Sequence, residues 1–101
     1  MNNPRLWKQW GIVTALLEDA RRYLVSAPKF AEHGSTSLIQ FDEYLAHNEL
    51  GLALEEMASL GRGMECKAMF WRELQQAAQV MELNDVAEEF HQEFLATVAR
   101  K

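Results

Sequence analysis

The residues that could do chemistry are few in this chain and poorly spaced for it. Cys66 is the single cysteine, so no disulfide can form within the chain and a reducing compartment is expected. Its place near an expected helix start could lower its pKa. Nucleophilic catalysis also needs a base and an orienting group, and nothing pairs Cys66 with a histidine, so a buried, idle thiol is expected. His33, His47 and His91 are scattered. Glu88 and His91 form one Glu-x-x-His pair, half of a di-iron carboxylate arrangement, but no second half is present. Glu43 and His47 lie one turn apart, as an exposed helix pair would. Gly61-Arg62-Gly63 has neither the preceding strand nor the spacing of a phosphate loop. Asp42-Glu43, Glu55-Glu56 and Glu88-Glu89 are sequence neighbours, which point about 100° apart on a helix and so make no acid/base dyad. The expectation is a protein without catalytic residues, metal or cofactor.

The same carboxylates can act as a binding surface. The chain has 101 residues, a net charge of −5 and 49% hydrophobic residues, enough for one domain over 1–101 with its own core. Its charge is uneven. Residues 1–41 carry three acids and five bases, whereas residues 42–99 carry twelve acids and three bases. Such a balance argues against a general affinity for nucleic acid. It fits either solvated helix faces or an electropositive protein partner drawn by opposite charge. Asp42, Glu43, Glu49, Glu55 and Glu56 are the candidate partner-binding acids, with Glu88, Glu89 and Glu93 as the alternative surface. Trp71 follows Phe70, and one of the two is expected near the surface as an interface anchor. Trp7, Trp10 and Trp71 at helical spacing read as core or interface before they read as a ligand pocket. No apolar run is long enough to span a membrane, and the first residues lack the pattern of a signal peptide. A cytoplasmic chain is expected.

The elements that position these groups are helical nearly throughout. Asn3-Pro4 has the form of an N-cap followed by proline at the first helical position. Leu6, Trp10, Val13, Leu17, Ala20 and Leu24 then recur at steps of three and four. Gly11 is a candidate bend, and Ser26-Ala27-Pro28 ends the helix. That apolar stripe either closes on the rest of the chain or makes a dimer face. Ser37 and Gln40 have capping-box spacing, opening a helix with Leu38, Phe41 and Leu45 inside and Tyr44 alongside. Asn48 is the expected N-cap of a third helix carrying Leu50, Ala53, Leu54, Met57 and Leu60, closed by Gly61-Arg62-Gly63. Residues 38–60 thus form a tight antiparallel hairpin. A fourth helix is predicted over 64–81, with Phe70, Leu74, Ala77, Ala78 and Met81 inward. A fifth, capped by Asn84, carries Val86, Phe90, Phe94 and Val98. The fold class is all-α: one bundle of about five helices with a central antiparallel hairpin.

Two stretches carry a family resemblance. Phe41-Asp42-Glu43-Tyr44-Leu45-Ala46-His47-Asn48-Glu49-Leu50-Gly51-Leu52-Ala53-Leu54-Glu55-Glu56 resembles a segment of small bacterial immunity proteins. So does Phe70-Trp71-Arg72-Glu73-Leu74-Gln75-Gln76-Ala77-Ala78-Gln79-Val80-Met81. Such proteins are encoded beside polymorphic or contact-dependent growth-inhibition toxins. The resemblance spans about residues 38–83 and leaves the first 35 residues without a match. It implies a cytosolic antidote that occludes a cognate toxin domain, often a basic nuclease. It transfers no contact residues. A helical adaptor that binds a protein or peptide between helices is the alternative.

Overall fold

Proline opens the first helix, where its missing N–H costs nothing, and α1 runs through Gly11 without a break from Pro4 to Val25. The computed structural model describes residues 4–30 and 38–100, with side chains from residue 8 onward. The expected caps Asn3 and Ser37, and the Leu6 and Trp7 side chains, lie outside that description. Among the described residues four further helices are given bounds: α2 (Leu38–Ala46), α3 (Leu50–Met64), α4 (Ala68–Val80) and α5 (Asn84–Ala99). No strand occurs among the described residues. The fold is an all-helical bundle, as the periodicity predicts.

Apolar spacing decides the packing. Val13, Leu17, Ala20 and Leu24 of α1 are all buried within the chain, so this stripe faces the chain's own helices. They meet α3 and α4. On its other flank α3 packs against α2, making the predicted hairpin, and α4 packs against α5. Of the residues expected inside α2 and α4, Leu38, Phe41, Phe70, Leu74, Ala77 and Ala78 are buried, while Leu45 and Met81 are only half so.

The turns close differently from the expected pattern. Asn48 does not cap α3; it takes a left-handed conformation with φ 58°, as Glu82 does with φ 61°. Each sits in the same pair of backbone hydrogen bonds. Glu49 N–H donates to Tyr44 O at 2.8 Å and Asn48 N–H to Leu45 O at 3.1 Å. Leu83 N–H donates to Ala78 O at 2.9 Å and Glu82 N–H to Gln79 O at 3.0 Å. This is the Schellman closure, in which two orphan carbonyls of a helix end are satisfied by the residues just after it. The residue completing each closure also starts the next helix, since Glu49 O accepts from Ala53 N–H and Leu83 O from Ala87 N–H. Two helices joined this way need no side-chain cap, and neither Glu49 nor Leu83 makes one. Asn84 is therefore the first helical residue of α5 and not its cap.

The glycines at 61 and 63 do not end α3 either. The helix continues to Met64, and Glu65, at φ 55°, takes the left-handed cap. Gly61 is a notch: a Cβ added there would come within 2.5 Å of Phe70 Cζ. The Phe70 ring thus lies directly on the α3 backbone. Gly63 has no such neighbour within 4 Å. The two glycines should separate in urea denaturation. Gly61→Ala is expected to lose about 1–3 kcal/mol through overpacking, while Gly63→Ala is expected to be neutral or to gain about 0.5–1 kcal/mol of helix propensity. Equal effects at the two positions would contradict the notch.

Candidate protein-binding surface

The expectation that Phe70 or Trp71 reaches the surface is overturned: both are buried, Trp71 at 3% exposure. Neighbouring residues can both be inside because α4 has helices on two sides. Phe70 points to the α3 notch, while Trp71 turns toward α5 and stacks on Phe90 with ring centroids 5.9 Å apart. The two neighbours meet edge to face at 5.0 Å. Trp71 is therefore a core residue and no interface anchor.

The five candidate acids are also sorted by their surroundings. Asp42 is taken: the Arg21 guanidinium on α1 donates Nε to Oδ1 at 3.0 Å and Nη2 to Oδ2 at 2.9 Å. That fork raises the Arg21 pKa, chiefly through the hydrogen bond to Asp42. Both side chains are well exposed, so the pair contributes about 0.2–1 kcal/mol and mainly orients α2 on α1. Glu43 and Glu49 are exposed at the α2–α3 turn, and Glu55 is exposed on α3. Glu56, its neighbour, is half-buried on another side of the helix. Among the described residues none of these four has an ion-pair partner. The bases go elsewhere: Arg22 to Asp19 at 2.9 Å, Lys29 to Glu65 at 3.1 Å and Arg62 to Glu93 at 3.0 Å.

This pairing leaves a groove between α3 and α5. Ala58 and Phe90, both nearly fully buried, form its floor together with Val86. Glu55 and Ser59 stand on the α3 wall and Glu89 on the α5 wall, around a volume of about 460 Å³. Arg62 closes one end. It bonds Glu93 across the gap, and its guanidinium carbon lies 5.8 Å from the Trp71 ring centroid. Beyond this clasp a second cavity of about 280 Å³ reaches Cys66, Thr97 and Arg100. A third, of about 370 Å³, lies between Trp10 and the two Schellman turns, with Asn48, Met81 and Glu82 on its wall. The α3–α5 groove escaped the sequence because its walls are separated by a whole helix in the chain. The only signal was the excess of acid on both helices.

Cys66 is buried, and burial pushes its thiol up to about 11, so it stays protonated and unreactive at neutral pH. Glu88 accepts a hydrogen bond from Gln92 at 2.8 Å and not from His91. His47 Nδ1 meets the backbone oxygen of Glu43 at 2.9 Å. Among the described residues no three His, Cys, Asp or Glu side chains gather closely enough to hold a metal ion. No helix among them is long and apolar enough to cross a membrane. The chain matches no model of a known protein family, no curated protein and no solved structure.

One carboxyl is held against its charge. Burial pushes the Glu73 pKa up, and Asp19, facing it from α1, adds like charge and an acceptor for the protonated form. The native state therefore holds this proton more tightly than the unfolded chain does. Stability falls as pH rises from the ordinary glutamate range through the raised native pKa, and the penalty is complete above it. Glu73→Gln should raise the melting temperature at neutral pH, with the gain shrinking to nothing as the pH falls below about 4.3. A gain that grows toward acid pH would contradict this assignment.

Proposed function

We propose that this protein is a non-catalytic, stoichiometric inhibitor of a basic protein: an immunity protein that neutralises a cognate toxin domain by occlusion. The observation that carries the proposal is the division of its charges. Asp19, Asp42, Glu65 and Glu93 are paired within the chain, whereas among the described residues Glu43, Glu49, Glu55, Glu56 and Glu89 meet no cation. Exposed carboxylates without internal partners do little for the fold of a free chain. They repel one another, and they steer a cationic partner. The resemblance of residues 41–56 and 70–81 to immunity proteins supports the same reading. A toxin that acts on nucleic acid carries the basic surface this one complements. The second reading, a helical adaptor for another protein, draws on the interhelical groove, a common seat for partner helices.

Co-expression tests the first reading. A toxin encoded beside this chain should be harmless to cells that express it and lethal without it, and failure of protection would overturn the proposal. Steered binding also weakens with salt. The association rate with that toxin should fall by about tenfold or more between low and high ionic strength. Glu49→Lys and Glu55→Lys should each slow it further without lowering the melting temperature. A rate indifferent to salt and to both substitutions would favour the adaptor.

A further inference from the structure

We infer that the α3–α5 groove seats one face of a basic amphipathic helix of the partner, with apolar side chains on its floor and a cationic side chain toward each wall. The inference rests on the inhibitor reading above and locates its contact. Three cavities can be compared by charge. The one beyond the Arg62 clasp is lined by Arg62, Glu65, Glu93 and Arg100, a balanced set whose Glu65 and Glu93 already hold Lys29 and Arg62. The one beside Trp10 has a single acid, Glu82. In the α3–α5 groove, Glu55 and Glu89 face each other from opposite walls, and the one base, Arg62, is neutralised by Glu93. Only there is the charge surplus two-sided.

The floor fixes the rest of the occupant. Val86 presents carbon to the groove above the nearly buried Ala58 and Phe90, and Ser59, whose hydroxyl makes no hydrogen bond among the described residues, stands beside them. A lone cation would leave that carbon wet; an apolar segment alone would strip water from two carboxylates with nothing to pair them. A helix with apolar residues at i and i+4 and Lys or Arg on both flanks satisfies floor and walls together. A volume of about 460 Å³ admits a few side chains, so one stripe of the helix enters and its body stays outside. The clasp gives the groove a closed end, since Arg62 is held there by Glu93 and by the Trp71 face.

The test is a titration of the isotope-labelled full chain with a short Lys/Leu peptide patterned as an amphipathic helix, and with a scrambled peptide of the same composition. The patterned peptide should shift the amides of Ala58, Ser59, Val86 and Phe90, and the scrambled one should bind more weakly. Glu55→Gln with Glu89→Gln, both at exposed positions, should weaken the patterned peptide roughly tenfold, as two exposed ion pairs lost together would. Equal binding of the two peptides, shifts centred on Glu43 and Glu49, or no shifts at all would overturn the inference. The toxin assay judges the underlying reading separately. If the wild-type chain and the double variant protect equally, the inhibitor stands and the groove falls. If the wild-type chain gives no protection, the inhibitor reading falls and the peptide titration still decides the groove.

Discussion

Two consecutive aromatic residues on one helix organise this molecule. Phe70 and Trp71 leave α4 in different directions, and each needs a helix to cover it. Phe70 reaches its cover because Gly61 lets the ring lie on the α3 backbone. Trp71 reaches its own through Phe90 of α5. With α1 packed against both α3 and α4, α4 becomes the interior helix of the bundle, and α3 and α5 are set apart on its two sides. The groove between them follows from that arrangement. Filling the notch at Gly61 would move α3 and change the groove with it.

Electrostatics acts on this frame at the surface and not within it. No charged residue is buried among the described residues, in keeping with the cost of removing charge from water. The ion pairs instead tie elements together at their edges: Arg21 of α1 to Asp42 of α2, Lys29 after α1 to Glu65 after α3, and Arg62 of α3 to Glu93 of α5. Exposed pairs of this kind contribute little each. Their effect is selective, because they remove some carboxylates from the set open to a partner and leave others. Among the described residues, Glu43, Glu49, Glu55, Glu56, Glu82, Asp85, Glu88 and Glu89 are thus left without an ion pair, and of these Glu55 and Glu89 line the α3–α5 groove.

Much of the fold was legible from spacing alone. The α1 stripe from Val13 to Leu24, the α2–α3 hairpin and the inward positions Phe70, Leu74, Ala77 and Ala78 follow from a period of 3.6 residues and from polar breaks between runs. Where the reading failed, a residue's usual preference was overridden by its neighbours in space. Gly61 reads as a helix end because glycine favours left-handed caps, yet its place is set by the Phe70 ring that lies on it. The left-handed positions fell to Asn48, Glu65 and Glu82, two of which carry no turn signal in the sequence. Phe70 and Trp71 read as one inside and one near the surface when a helix has a single buried face, which holds at the edge of a bundle and not at its centre. Asp42 reads as free in the sequence because its partner Arg21 lies 21 positions away. Of the candidate acids, Glu55 is the one the structure brings to the groove, and Glu89, from the alternative set, is its counterpart.

The proposed contact is a basic partner lying along α3 and α5. Hydrogen exchange of the chain, free and saturated with the proposed cognate toxin, measures this most directly. Slowed exchange concentrated in residues 55–62 and 86–93, with α1 and the α2–α3 turn unchanged, is the predicted result. Protection centred on the α2–α3 turn around Glu43 and Glu49, or on α1, with α3 and α5 exchanging as in the free chain, would contradict it.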